Sequence, residues 1–194
     1  MTVRVQTADF DIGAEIAAMR RGNPKVGAVA SFVGVVRDLN DGGQVAEMTL
    51  EHYPGMTEKA LEKIVAEARS RWEIYDALVV HRVGTLKPSD QIVLVVVTGA
   101  HRGEAFEACE FLMDYLKTRA PFWKKEATPE GSRWVDARES DDAAADRWSK
   151  PPPAATTEAG RASRNWGRKY CGATAKWMPR LRQPFRRKSS RSRA

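Results

Sequence analysis

The sequence predicts an α+β fold in which helices flank a mixed or mostly antiparallel sheet. Short Val-rich segments occur among amphipathic helical segments, without the strict strand–helix repetition of a doubly wound parallel sheet. Residues 151–194 contain no Val or Ile and open on three prolines. We therefore expect one folded domain over residues 1–150, followed by a disordered tail over residues 151–194.

The predicted strands are recognised by β-branched residues and by alternating apolar positions. The segment 26–36 is rich in Val and small residues, which favours a strand buried on one or both faces. Turns are predicted at 37–43, with its Asn, Asp and Gly residues, and at 84–90, which contains Pro88. In chain order the strands are 2–6, 26–36, 46–52, 77–83, 91–98, 122–127 and 134–137.

Three helices are predicted from apolar residues at helical spacing. The first, over residues 11–21, places Ile12, Ile16 and Met19 on one side. The second begins at a predicted N-cap, Thr57, and the third spans residues 103–119 until Pro121 prevents its continuation. The apolar positions of the second helix are Ala60, Leu61, Ile64, Val65, Ala68 and Trp72.

Charge is distributed unevenly along this chain of 194 residues. The formal net charge is +7, but residues 151–194 hold 12 Lys and Arg against one acidic residue, a net +11. The first 150 residues therefore carry −4. The longest apolar run, residues 92–97, is far shorter than the roughly 20 residues of a membrane span. The first residues also lack the apolar stretch of a secretory signal, so we expect a cytoplasmic protein.

A first candidate site is the segment Gly99-Ala100-His101-Arg102-Gly103, where a buried strand meets a helix. Free N–H groups at a helix start, beside Arg102 and His101, are suited to an anionic group such as phosphate. The alternative is structural: His101 caps the helix or packs against it, and Arg102 is solvated.

Lys117 is a second candidate, because it lies at the end of an apolar stripe formed by Cys109, Met113 and the neighbouring Phe106. Partial desolvation would suit it to act as an acid, a base or a nucleophile. The alternative is snorkelling, in which the stem packs and the ammonium stays in water. The sequence slightly favours that alternative.

The third candidate is the segment 122–126, in which Phe122, Lys124 and Glu126 share one face of an extended chain. Pro121 ties this segment to the helix of Lys117, so the two lysines are expected to converge. Together with Arg37, His101 and Arg102 they would form a cationic pocket in an acidic domain. Such a pocket favours a small polyanionic substrate.

Other chemistry has little support in the sequence. Cys109 lies within a helix on an apolar face, which favours a buried, inert thiol over a nucleophile. The histidines, His52, His81 and His101, form no local metal-ligand motif, so we expect neither a metal nor a resident cofactor. Phosphate-binding glycine loops, hydrolase nucleophile motifs and CxxC pairs are also absent.

Several ordered blocks closely resemble the large, catalytic subunit of molybdopterin synthase, the MoaE family, over about residues 3–148. The blocks are LEHYPGMT at 50–57, AHR at 100–102, MDYLKTRAPFWKKE at 113–126 and WVDARES at 134–140. The resemblance implies a hammerhead-like α+β fold and a sulfurtransferase of molybdenum cofactor biosynthesis. It implies a homodimer of large subunits within a heterotetramer. Each large subunit would bind a small ubiquitin-like carrier with a C-terminal Gly-Gly thiocarboxylate, whose sulfur forms the dithiolene on cyclic pyranopterin monophosphate.

The resemblance also implies roles for individual residues. Lys117 and Lys124 match the family's active-site lysines, and Arg138 matches an arginine contributed by the dimer mate. The remaining positions match substrate contacts or line the same regions: Val35, Val36, Arg37, His101, Arg102, Lys125 and Glu126.

The basic tail leaves an alternative function open. Its Arg and Lys residues with scattered Trp and Tyr are also compatible with a non-catalytic scaffold that binds nucleic acid or another anionic surface. Charge runs alone are poorly specific, and a solvated extension without function explains the same composition.

Overall fold

The computed structural model describes residues 2–40, 43–128, 131–135 and 139–149. It contains the α+β architecture that the sequence predicts, with the strands divided between two four-stranded sheets and a small hairpin. The elements are β1 (Val3–Gln6), α1 (Ile12–Arg20), β2 (Ala28–Val35), β3 (Leu39–Asn40), β4 (Gly43–Gln44), β5 (Glu47–His52), α2 (Met56–Arg71), β6 (Ile74–Arg82), β7 (Gly84–Leu86), β8 (Gln91–Gly99), α3 (Arg102–Arg119), β9 (Phe122–Thr128), β10 (Gly131–Val135) and α4 (Glu139–Asp146).

The first sheet has the order β1-β6-β8-β2, and its central strands β6 and β8 are buried on both faces. β1 runs parallel to β6, and β8 is antiparallel to β6 and β2. Val79 and Val95 face α2 and α3, whereas Val80 and Leu94 face α1. Because both faces are covered, β8 is a continuous apolar run and lacks a polar face.

The second sheet is antiparallel, with the order β10-β9-β5-β7. Its small core contains Val36, Met48, Leu50 and Leu86. The predicted turn at 84–90 is therefore partly wrong, because residues 84–86 pair with β5. Three residues are too few for an alternation pattern, and the pairing of this edge strand depends on a partner more than 30 residues away.

The helices begin and end close to their predicted positions. Asp11 caps α1, since its carboxylate accepts a hydrogen bond of 2.9 Å from Ala14 N–H. The predicted N-cap of the second helix is wrong: α2 begins at Met56, after Gly55 at φ 78°. Thr57 is buried one position further in, where its hydroxyl accepts from Tyr53 N–H at 3.1 Å and donates to Pro121 O at 3.2 Å. It ties the start of α2 to the start of β9.

The segment after β10 adds a helix that the sequence analysis does not predict, α4. Trp148 follows it and packs edge-on against Trp72 and Phe111, with ring centroids 5.5 and 5.6 Å apart. Its indole N–H donates to the Asp114 carboxylate at 2.7 Å. This contact anchors the segment to α3. The predicted tail, residues 151–194, lies outside the described residues.

Gly27 marks a close backbone approach at the end of the first sheet, and we expect Gly27→Ala to destabilise the domain. Gly27 N–H donates to Gly99 O at 3.1 Å, and an added Cβ would clash with the Ala100 carbonyl oxygen. A backbone atom there cannot rotate away, so we expect a loss of about 1–3 kcal/mol in the free energy of unfolding, measured with urea.

The matched control is Gly103→Ala. Gly103 lies in the first turn of α3, and a Cβ there would meet no atom within 4 Å. Alanine should leave stability unchanged or raise it by up to about 1 kcal/mol. Equal stability of the two variants would contradict the proposed clash.

Candidate active site

A cavity of about 280 Å³ opens where the end of β2, the last turns of α3 and the second sheet meet. This volume is close to that of pockets that hold one small organic ligand. Its apolar lining includes methionines and branched residues, and its polar lining is mainly basic. The lining residues are Phe32, Gly34, Val35, Arg37, Met48, Leu50, His81, Ile92, Val93, Met113, Leu116, Lys117, Lys124 and Glu126.

The two predicted lysines converge on this cavity, as their sequence positions predict. Lys117 lies in the last turn of α3, one turn beyond the buried Met113, and its side chain is 50% exposed. Its ammonium lies 3.4 Å from the Asp141 carboxylate on α4. The snorkelling alternative therefore describes Lys117 better than burial does, because the stem lines the cavity while the charge reaches solvent.

Lys124 is held more firmly than Lys117. Its ammonium lies 2.7 Å from Oε1 of Glu126, a carboxylate that is fully buried, and its own side chain is 31% exposed. Arg133 on β10 approaches the other carboxylate oxygen at 3.3 Å, directly across the β9–β10 pair. A buried carboxylate requires such partners, since an unpaired charge would be strongly destabilising. Glu126 thus positions two cations beside the cavity.

The alternation predicted for residues 122–126 is confirmed. Phe122, Lys124 and Glu126 point toward the cavity side, where the Phe122 ring stacks on His81 with centroids 3.8 Å apart. Lys125 points the other way, and its ammonium lies 5.7 Å from the centroid of the Trp134 ring, within cation–π range. Lys125 therefore does not line the cavity in this chain.

The end of β2 contributes unequally to the cavity. Val35 is 48% exposed and, like Arg37, lines the cavity. Val36 is 2% exposed and packs against Met48, so it supports the wall from behind. The last predicted site residue, Arg138, lies outside the described residues.

His101 and Arg102 are not part of this cavity within one protomer, which corrects the expectation of a single pocket. Both are exposed at the start of α3, whereas Lys117 is at its end. Lys117 lies fifteen positions after Arg102 along the helix, about 22 Å away at ~1.5 Å per residue. The His101 side chain also makes no capping hydrogen bond, so the structural alternative of a histidine cap is not met.

Cys109 is a buried thiol, as the sequence indicates. It is 7% exposed, and burial raises its pKa to about 11, so it stays protonated at neutral pH.

Within the ranges that the structure describes, no group of three or more His, Cys, Asp or Glu side chains is arranged to hold a metal ion. No described helix is long and apolar enough to cross a membrane.

Comparison with known proteins identifies the family. The MoaE protein family model matches residues 5–119. A molybdopterin synthase catalytic subunit from Ralstonia nicotianae is 69% identical over 147 residues, covering 76% of this chain and 84% of the relative. The chain belongs to the MoaE family.

Solved structures of MoaE proteins share its fold. The molybdopterin biosynthesis MoaE protein of Burkholderia ambifaria has a TM-score of 0.67 at 65% identity, covering 77% of this chain and 98% of the other. A complex of subunits 1 and 2 of the molybdopterin-converting factor from Helicobacter pylori has a TM-score of 0.59 at 20% identity, covering 70% and 91%. At that identity the second likeness shows the fold alone.

The family assignment confirms the resemblance of the sequence blocks to the MoaE family. It also assigns the chain to molybdenum cofactor biosynthesis. The matched MoaE model ends at Arg119, so Lys117 lies inside it and Lys124 just beyond it.

Two further residues lie at or beside this cavity and are not predicted from the sequence, His81 and Arg133. A histidine within the apolar run ALVVHRV signals burial, and this is the sequence feature that points to His81. Arg133 carries no such signal, because its place opposite Glu126 depends on the register of the β9–β10 pair.

Proposed function

We propose that this chain is the catalytic subunit of a molybdopterin synthase and acts as a sulfurtransferase. It takes sulfur from the C-terminal thiocarboxylate of a small ubiquitin-like carrier and adds it to cyclic pyranopterin monophosphate. The observation that carries the proposal is the cavity lined by Lys117, Lys124 and Arg37 in a chain of the MoaE family. The Ralstonia relative is named as a catalytic subunit, which supports a partner subunit.

The lining of the cavity suits both reactants. Met48, Leu50 and Ile92 offer an apolar surface to the heterocycle, while Arg37 and the lysines neutralise its phosphate and the thiocarboxylate. The protein needs no cysteine nucleophile, since the carrier brings the sulfur. This agrees with the protonated, buried state of Cys109.

The lysines act on the charges that develop during transfer. Sulfur of the thiocarboxylate attacks an oxygen-bearing carbon of the pterin. The carbon–sulfur bond forms as the carbon–oxygen bond breaks, and the departing oxygen takes a proton from a lysine ammonium. Water then cleaves the acyl–sulfur bond, which leaves a carboxylate on the carrier and the sulfur on the pterin. The ammonium groups of Lys117 and Lys124 stabilise the oxyanion at the acyl carbon and transfer protons. The Glu126 carboxylate holds Lys124 in place for this.

His101 and Arg102 reach the same substrate from a second copy of the chain. The first sheet ends at β2, whose outer edge pairs with no strand in the described part of the chain and exposes Phe32. The start of β2 lies beside Gly99, close to His101, and its end reaches the cavity. A twofold antiparallel pairing of two β2 strands therefore brings the partner's helix start toward Arg37.

Reconstitution tests the proposed function. The protein is mixed with thiocarboxylated carrier and cyclic pyranopterin monophosphate, and the dithiolene product is quantified. We expect molybdopterin with the thiocarboxylated carrier and none with the same carrier ending in an ordinary carboxylate, because sulfur comes only from the former. Absence of product in the complete mixture would overturn the proposal.

A further inference from the structure

We propose that His81 is a substrate-binding residue of this cavity, whose Nε2 accepts a hydrogen bond from a ring N–H of the bound pterin. The inference rests on the proposed function, because it takes the pterin as the occupant. It adds a neutral acceptor to a site otherwise described by its cations.

The position of His81 is unusual for a polar side chain. It lies on β6, a central strand of the first sheet, and is 4% exposed. It nevertheless lines the cavity that contains Lys117 and Lys124. A histidine that is almost fully buried and still borders a ligand-sized cavity is placed to contact what the cavity holds.

Two contacts hold the ring and determine its tautomer. Nδ1 lies 2.8 Å from the carbonyl oxygen of Arg82. A carbonyl oxygen can only accept, so Nδ1 carries the hydrogen and Nε2 presents a lone pair. The ring also stacks on Phe122 at an interplanar angle of 16°. His81 is therefore a rigid acceptor.

Nε2 remains available to a ligand, since it has no hydrogen-bond partner among the described residues. Burial lowers the pKa of His81 to about 4, so the ring is neutral at pH 7 and keeps this lone pair. The other polar side chains of the cavity offer less to an N–H group. Lys117, Lys124 and Arg37 are donors, and the two oxygens of Glu126 face Lys124 and Arg133.

A reduced pterin carries several ring N–H donors, and burying them without acceptors would weaken its binding. His81 meets this need where the cationic residues cannot. It thus orients the heterocycle, whereas the lysines and arginine act on the phosphate and the thiocarboxylate.

Two matched amide variants separate the substrate role from a structural one. His81→Asn keeps a donor near Nδ1 for Arg82 O and removes the acceptor at Nε2, whereas His81→Gln places an amide oxygen near Nε2. Both lose the ring stacked on Phe122. We expect His81→Asn to lower kcat/KM for the pterin about tenfold to a hundredfold, mainly through KM, and His81→Gln to retain most activity.

A purely structural role predicts the opposite order, because only Asn preserves the contact with Arg82. Activity of His81→Asn equal to or above that of His81→Gln would therefore overturn the inference. If wild type itself makes no molybdopterin, the proposed function fails. If wild type is active and the order is reversed, only the role of His81 fails.

A measurement on the wild-type full chain covers the case in which a variant does not fold. In ¹⁵N-histidine-labelled protein, the Nε2 resonance of His81 should move upfield when cyclic pyranopterin monophosphate saturates the site, as expected for a lone pair that gains a hydrogen bond. An unchanged Nε2 resonance at saturation would contradict the proposal.

Discussion

Lys117→Ala should reduce dithiolene formation at least about a hundredfold, to near background. Lys117 and Lys124 each place an ammonium group at the cavity, and removing one preorganised cation from a site of charge development typically costs about 10²–10³ in rate. The reconstituted assay with thiocarboxylated carrier measures the loss, under single-turnover conditions that exclude carrier release.

The fold should tolerate this change. The Lys117 side chain is half exposed and its contact with Asp141 is a surface ion pair, so stability should change by no more than about 0.5–1 kcal/mol. Lys63→Ala is the matched control, because Lys63 is an exposed lysine on α2 away from the cavity, and it should be fully active. Near-normal turnover of Lys117→Ala would remove Lys117 from the mechanism.

Mixing two inactive variants, Lys117→Ala and Arg102→Ala, should restore about a quarter of wild-type activity. If Arg102 contacts the substrate in the cavity of its dimer partner, a mixed dimer has one site in which Lys117 and Arg102 are both intact. Random exchange makes about half of the dimers mixed, and each has one working site of two. Purification of the mixed dimer with two affinity tags should raise the activity to about one half of the wild-type value.

The control pair is Lys117→Ala with Lys124→Ala. Both lysines line the cavity of one protomer, so every site in their mixed dimer lacks one of them and activity should stay at background. Background activity of the purified Lys117→Ala/Arg102→Ala dimer would show that Arg102 does not act on the partner's site. An active Arg102→Ala homodimer would exclude a substrate role for Arg102 altogether.

Local pattern predicted three of the four helices in the described residues and most strands, because burial on a sheet or along a helix imposes a period that can be recognised within one element. The long helix α3 and the two-sided burial of β8 are clear examples. The pattern failed at Thr57, which has the side chain of an N-cap but is used for a contact with Pro121, 64 residues away. It also failed at β7, which is defined only by its pairing with β5.

The candidate site also combines features that local pattern predicts with features that depend on contacts between distant segments. The convergence of Lys117 and Lys124 was predictable, because Pro121 links their two elements directly and alternation gives the face of each residue in β9. Their grouping with His101 and Arg102 was wrong for one protomer. The predicted helix was already long enough to separate its two ends by about 22 Å.

By itself the sequence determined the fold class, the acidic domain with its basic tail, the two lysines and the resemblance to MoaE proteins. Each of these depends on composition, periodicity or ordered motifs within short stretches of chain. Only the tertiary structure decided that His81 borders the cavity and that Arg133 faces Glu126. The physical reason is that strand order and register arise from contacts between distant segments, and no local pattern encodes which strands become neighbours.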